Sequence, residues 1–75
     1  MPKFPVVSGK EVIKALEKLG FKSVSQRASH VKLRKIDSDG KKTVIVPLRL
    51  VIRTGTMKSI LRQSHLNIEE LQKFL

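Results

Sequence analysis

Cysteine, tryptophan and tyrosine are all missing from this chain of 75 residues, and phenylalanine occurs only three times. Without cysteine there is no disulfide staple, no thiolate metal site and no thiol nucleophile. Phe4, Phe21 and Phe74 fall at core or terminal positions, so a stacking platform for single-stranded bases is not expected. Acidic residues are scarce as well. Six Asp and Glu stand against sixteen Lys and Arg, giving a net charge of +10 and an isoelectric point near 10.6. Long apolar runs are also lacking: nothing approaches the roughly 20 residues that a membrane span needs. The stretch from Met1 to Val7, with Pro2 and Pro5, is too short for a signal peptide, so a cytoplasmic location is expected.

What is present is positive charge on an otherwise ordinary small domain. A chain this short forms one domain, spanning residues 1–75, and buries only about 60% of the surface its unfolded form exposes. Its 40% hydrophobic content is still enough for one thin core rather than a disordered basic tail. Lys and Arg that neutralise phosphates release condensed counterions, so the charge points to a polyanionic partner. The basic residues are spread along the whole chain, unlike those of an interfacial amphipathic helix. Nucleic acid is therefore expected before a membrane, and an acidic protein partner is compatible with the same surface.

Periodicity gives the order of elements. Ser8 and Glu11 have capping-box spacing, and Val12, Ile13, Leu16 and Leu19 form a helical apolar stripe that Gly20 ends. Lys10, Lys14 and Lys18 read as its solvated face. Phe21 to Gln26 carries a weak pattern, read as a strand. From Ser29 the period becomes two, with Val31 and Leu33 pointing one way and His30, Lys32 and Arg34 the other. Asp37-Ser38-Asp39-Gly40 is a turn sequence, Lys42 to Val46 a second strand of a hairpin, and Pro47 its end. Leu48 to Thr54 reads as a loop. Thr56 is expected to cap a second helix carrying Met57, Ile60 and Leu61, and Asn67 with Glu70 to open a short closing helix. The predicted class is α+β: an antiparallel three-stranded sheet with helices on one face and the other face wet.

That wet face carries the candidate chemistry. RNA brings its own nucleophile, the 2′-hydroxyl, and an imidazole can take that proton or give one to the leaving oxygen near neutral pH. His30 is the candidate, with Lys32 and Arg34 placed to hold the scissile phosphate and stabilise charge building on its oxygens. His65, at the end of the second helix, is expected as a cap, and Asp37 and Asp39 as turn residues. Two histidines without clustered carboxylates predict no metal site. Lys58 and Arg62, spaced i and i+4, form a basic ridge on the second helix.

Three segments then resemble a known family. Gly20-Phe21 through Ala28-Ser29-His30, Val46-Pro47, and Gly55-Thr56-Met57-Lys58-Ser59-Ile60-Leu61-Arg62-Gln63 are similar to the HicA family of mRNA interferase toxins. With the first helix, the likeness runs from Ser8 to Leu75. It implies a double-stranded-RNA-binding-like α-β-β-β-α fold with a short helical extension. It also implies cofactor-free, metal-independent cleavage of mRNA through His30, and a HicB-type antitoxin covering that histidine. Taken with the charge, the expected RNA contacts are Arg27, Ser29, Lys32, Arg34, Arg49, Lys58 and Arg62. No membrane and no small-molecule ligand are expected.

The chain departs from the family pattern at four places. Ala28 stands where glycine is common, Ser25 where an arginine is frequent, Arg49 in place of a second histidine, and His65 in place of a turn glycine. Ala28, Ser25 and Arg49 sustain a second reading, a non-catalytic RNA-binding module of the same fold held by an antitoxin. A DNA-binding domain is the weaker third, since no helix pair with a recognition helix is evident.

Overall fold

The computed structural model describes residues 4–75, in the order α1 (Gly9–Lys18), β1 (Lys22–Arg27), β2 (His30–Asp37), β3 (Gly40–Pro47), α2 (Thr54–Ser64) and α3 (Ile68–Gln72). The strands form one antiparallel sheet in sequence order, the double-stranded-RNA-binding-like α+β arrangement the sequence implied. Among the described residues, no helix is long and apolar enough to cross a membrane.

Alternation decides which face is covered. Val31 and Leu33 of β2 and Val44 and Val46 of β3 are buried together with Val12, Ala15 and Leu16 of α1 and Met57 and Ile60 of α2. Removing that apolar surface from water is the main term holding so small a fold together. Phe21 is buried in the same core, while Phe4 and Phe74 pack against it in part. Ile68 and Leu71 of α3 close the core, and α3 touches α1.

The ends of the elements follow local chemistry. Ser8 and Glu11 make the expected reciprocal cap of α1, and Asn67 and Glu70 that of α3. Gly20, at φ 101°, takes the left-handed position beyond α1. Gly9 is required by close approach: a β-carbon there would overlap the carbonyl of Pro47, and the Gly9 N–H donates to Arg49 O at 2.9 Å. In the β2–β3 turn, Asp37 accepts from the Asp39 N–H and from the Lys42 ammonium, and the Lys42 bond first of all holds its carboxyl below the usual value.

Two expectations are corrected. Thr56 is not the cap of α2: the helix begins at Thr54, Arg53 is its N-cap, and no side chain caps it. The loop therefore ends before Thr54, because Ile52 is drawn into the core and its N–H is fixed to Val7 O at 2.8 Å. The first strand runs Lys22–Arg27 rather than Phe21–Gln26, since Phe21 turns inward as a core residue. His65 does end α2 in the left-handed conformation, φ 58° and ψ 32°.

Candidate nucleic-acid interface

Residues directly opposite in an antiparallel pair share a face. Arg27 lies opposite His30, Ser25 opposite Lys32 and Lys22 opposite Arg34; across the next ladder, Lys32 faces Ile45, Arg34 faces Thr43 and Ile36 faces Lys41. The uncovered side of the sheet thus carries Lys22, Arg27, His30, Lys32, Arg34 and Lys41. No acidic side chain is among the paired residues of this face. The acids lie elsewhere: Glu11 and Glu17 on or beside α1's solvent side, Asp37 and Asp39 at the hairpin turn, Glu69 and Glu70 on α3.

His30 is exposed at the first position of β2. The two-residue turn before it, Ala28-Ser29, is clamped from both sides. Ser29 O accepts from the Leu48 N–H at 2.6 Å, and Gln26 Nε2 donates to Ala28 O at 3.2 Å. Ala28 itself is held at φ 53°, a left-handed conformation that glycine adopts freely and alanine does not. The imidazole is therefore mounted on a strand end with a fixed turn behind it.

Around it lies a depression of about 530 Å³ lined by Ser25, Gln26, Arg27, His30, Lys32 and Ile45. Of the residues read from the sequence, Arg27, His30 and Lys32 are brought together here. Arg34 is on the same face, but four residues further along β2. Ser29 and Arg49 are exposed without lining the depression; Arg49 is engaged through its backbone, with its N–H bonded to Pro47 O and its carbonyl to Gly9. Lys58 and Arg62 are exposed on α2, away from its buried Met57 and Ile60 side, and do not reach this depression either.

Sequence reasoning missed Lys22, Ser25, Gln26 and Ile45. Ile45 could have been found from its alternation with Val44 and Val46. Lys22 could not: it reaches the open face only through an irregularity in β1. Ser23 faces Leu33 and Ser25 faces Lys32, so Val24 is an extra residue, a β-bulge. The far edge of the sheet is closed differently, by Gln63 of α2, whose Oε1 accepts from the Ile45 N–H at 2.9 Å.

Chemically, the arrangement offers one imidazole, a group that can accept or donate a proton, flanked by cations that attract and hold a phosphate. Among the described residues, no three His, Cys, Asp or Glu side chains gather where they could hold a metal ion. A family model described as HicA toxin of bacterial toxin-antitoxin matches residues 9–66, from the first residue of α1 past the end of α2. No curated protein matches the chain.

Proposed function

The chain belongs to the HicA toxin family, which makes it the toxin of a toxin–antitoxin system with an antitoxin partner, and on that premise we propose that it is an endoribonuclease cleaving mRNA through His30. The observation that carries this reading is the placement of His30, exposed, opposite Arg27 and one pleat from Lys32, on a sheet face without acidic partners. An RNA backbone laid on that face brings a 2′-hydroxyl to the imidazole while Arg27 and Lys32 hold the adjacent phosphate. His30 takes the hydroxyl proton while solvent protonates the departing 5′-oxygen, or His30 protonates that oxygen while solvent takes the hydroxyl proton; the 2′-oxygen attacks phosphorus and the phosphorus–5′-oxygen bond breaks. The products are a 2′,3′-cyclic phosphate and a 5′-hydroxyl, with no water consumed in this step. The cations stabilise charge that grows on the phosphoryl oxygens. The antitoxin we infer is HicB-type and covers this same face, acidic or hydrogen-bonding groups meeting Lys32 and Arg34.

Incubation of the purified chain with RNA in EDTA, beside His30→Ala, tests the mechanism. The parent is expected to cut in EDTA and the variant to lose about 10²-fold or more in rate. Cleavage abolished by EDTA, or retained by His30→Ala, would falsify it.

A non-catalytic module is favoured by one observation. Arg49, at the position where the resemblance has a second histidine, lies outside the depression, so His30 has no imidazole partner there. RNA binding by the parent without any cleavage product decides for that reading.

A further inference from the structure

The most telling feature outside the His30 depression is a pair of like charges. Lys22 and Arg34 are directly opposite in the β1–β2 ladder. Like charges so placed repel, and a sheet normally avoids them. Among the described residues neither makes an ion pair, while Lys42 does so with Asp37 and Asp39. The Arg34 Nε is buried without a hydrogen-bond partner.

The pairing exists only because of the bulge. In a regular ladder, Ser25 opposite Lys32 would put Ser23 opposite Arg34 and turn Lys22 toward the helices. The extra residue, Val24, shifts the register so that Lys22 faces Arg34 and Ser23 faces Leu33. Bulges re-aim side chains in this way, at the expense of ladder bonds. Here the re-aimed side chain is a lysine placed beside another cation. Both border a cleft of about 380 Å³ that also includes Val24 and Ile36, the latter 76% exposed.

We propose that Lys22 and Arg34 form a second phosphate subsite, binding the RNA strand remote from the scissile phosphate at His30, with Ile36 offering apolar surface to the neighbouring ribose or base. This rests on the reading of the open face as an RNA-binding surface. Arg34 lies four positions beyond His30 along β2, about 13 Å at the rise of a strand. That distance spans about four nucleotides at the 3.4 Å rise of a stacked strand and fewer in an extended one. The subsite therefore selects substrates continuing past the cut toward the Ile36 end of the sheet. Its contribution is to affinity for longer strands rather than to the bond-breaking step.

Binding is measured in a His30→Ala background, so that cleavage does not enter, with an octanucleotide and a trinucleotide of RNA. Lys22→Ala is expected to weaken the octanucleotide about fivefold at 0.1 M salt and to lower its salt slope by about 0.7. The trinucleotide, too short to reach both subsites, is expected to change less than about twofold. Lys22→Arg restores octanucleotide affinity. Lys14→Ala, removing an exposed charge from α1, serves as the control for net charge and is expected to have little effect. Equal losses from Lys22→Ala and Lys14→Ala, or equal losses for the two oligonucleotides, overturn the subsite. Weakened antitoxin binding with unchanged RNA binding overturns it too, assigning the pair to the protein partner. Failure of the His30→Ala chain to bind either RNA sinks the underlying functional reading instead.

Discussion

Ala28 shows what a single position can take from stability to place a reactive group. Its φ of 53° puts a β-carbon where L-residues are strained by roughly 1–2 kcal/mol. The turn persists because Ser29 O and Ala28 O are both held, by the Leu48 N–H and the Gln26 amide. Ala28→Gly removes the strain but gives the unfolded chain more freedom, worth about 0.5–1 kcal/mol in the other direction. The net expectation is a gain of up to about 1.5 kcal/mol in urea unfolding at unchanged m-value, with His30 still in place. A loss of stability would mean that the alanine methyl makes a contact that outweighs the strain. The sequence singled out this position through its departure from the family pattern; only the backbone angle gives that departure a physical meaning.

At the level of elements, β1 and β2 were both legible as strands, but only β2 revealed which side of it is buried, and the difference is physical. Val31 and Leu33 alternate with His30, Lys32 and Arg34 without interruption, so the period of two gives both the buried side and the open one. In β1 the bulge at Val24 breaks that period, which leaves Phe21 and Ser23 on one side, Lys22 and Ser25 on the other, and no sequence signal for the change. The helices were legible where capping boxes announce them, at Ser8 and Asn67. The start of α2 was displaced to Thr56 because its actual cap, Arg53, is a residue type that caps poorly. That end is also unfavourable electrostatically, since a cation sits at the positive pole of the helix and its first turn holds no acidic residue. Arg53→Asp therefore supplies both a side-chain acceptor and a favourable charge, and should raise stability by about 1–2 kcal/mol. Thermal unfolding of the variant beside Arg53→Ala separates the cap from mere removal of the cation. Equal gains from the two would show that no cap forms.

Over the whole molecule, the +10 charge is unevenly placed. Four of the six acids lie on or beside α1 and α3, two at one hairpin turn, and none on the paired positions of the open sheet face. Self-repulsion on that face opposes folding, and a small core has little surplus with which to offset it. Salt should therefore act in opposite senses on the two properties of this surface. Raising salt from about 0.05 to 0.5 M contracts the screening length from roughly 14 to 4 Å, shorter than the span of the cationic face, so the repulsion fades and Tm rises. Over the same range RNA affinity falls, because each counterion released on binding gains less entropy in the more concentrated salt. An RNA strand present at low salt should raise Tm in the manner of any ligand selective for the folded state, and that increment should vanish as salt is added. Melting curves of His30→Ala with and without an octanucleotide, across that salt range, give both trends in one experiment. A Tm indifferent to salt in the absence of RNA would mean that the cations are already neutralised within the fold, and the open face would then have no excess charge to offer a phosphate backbone.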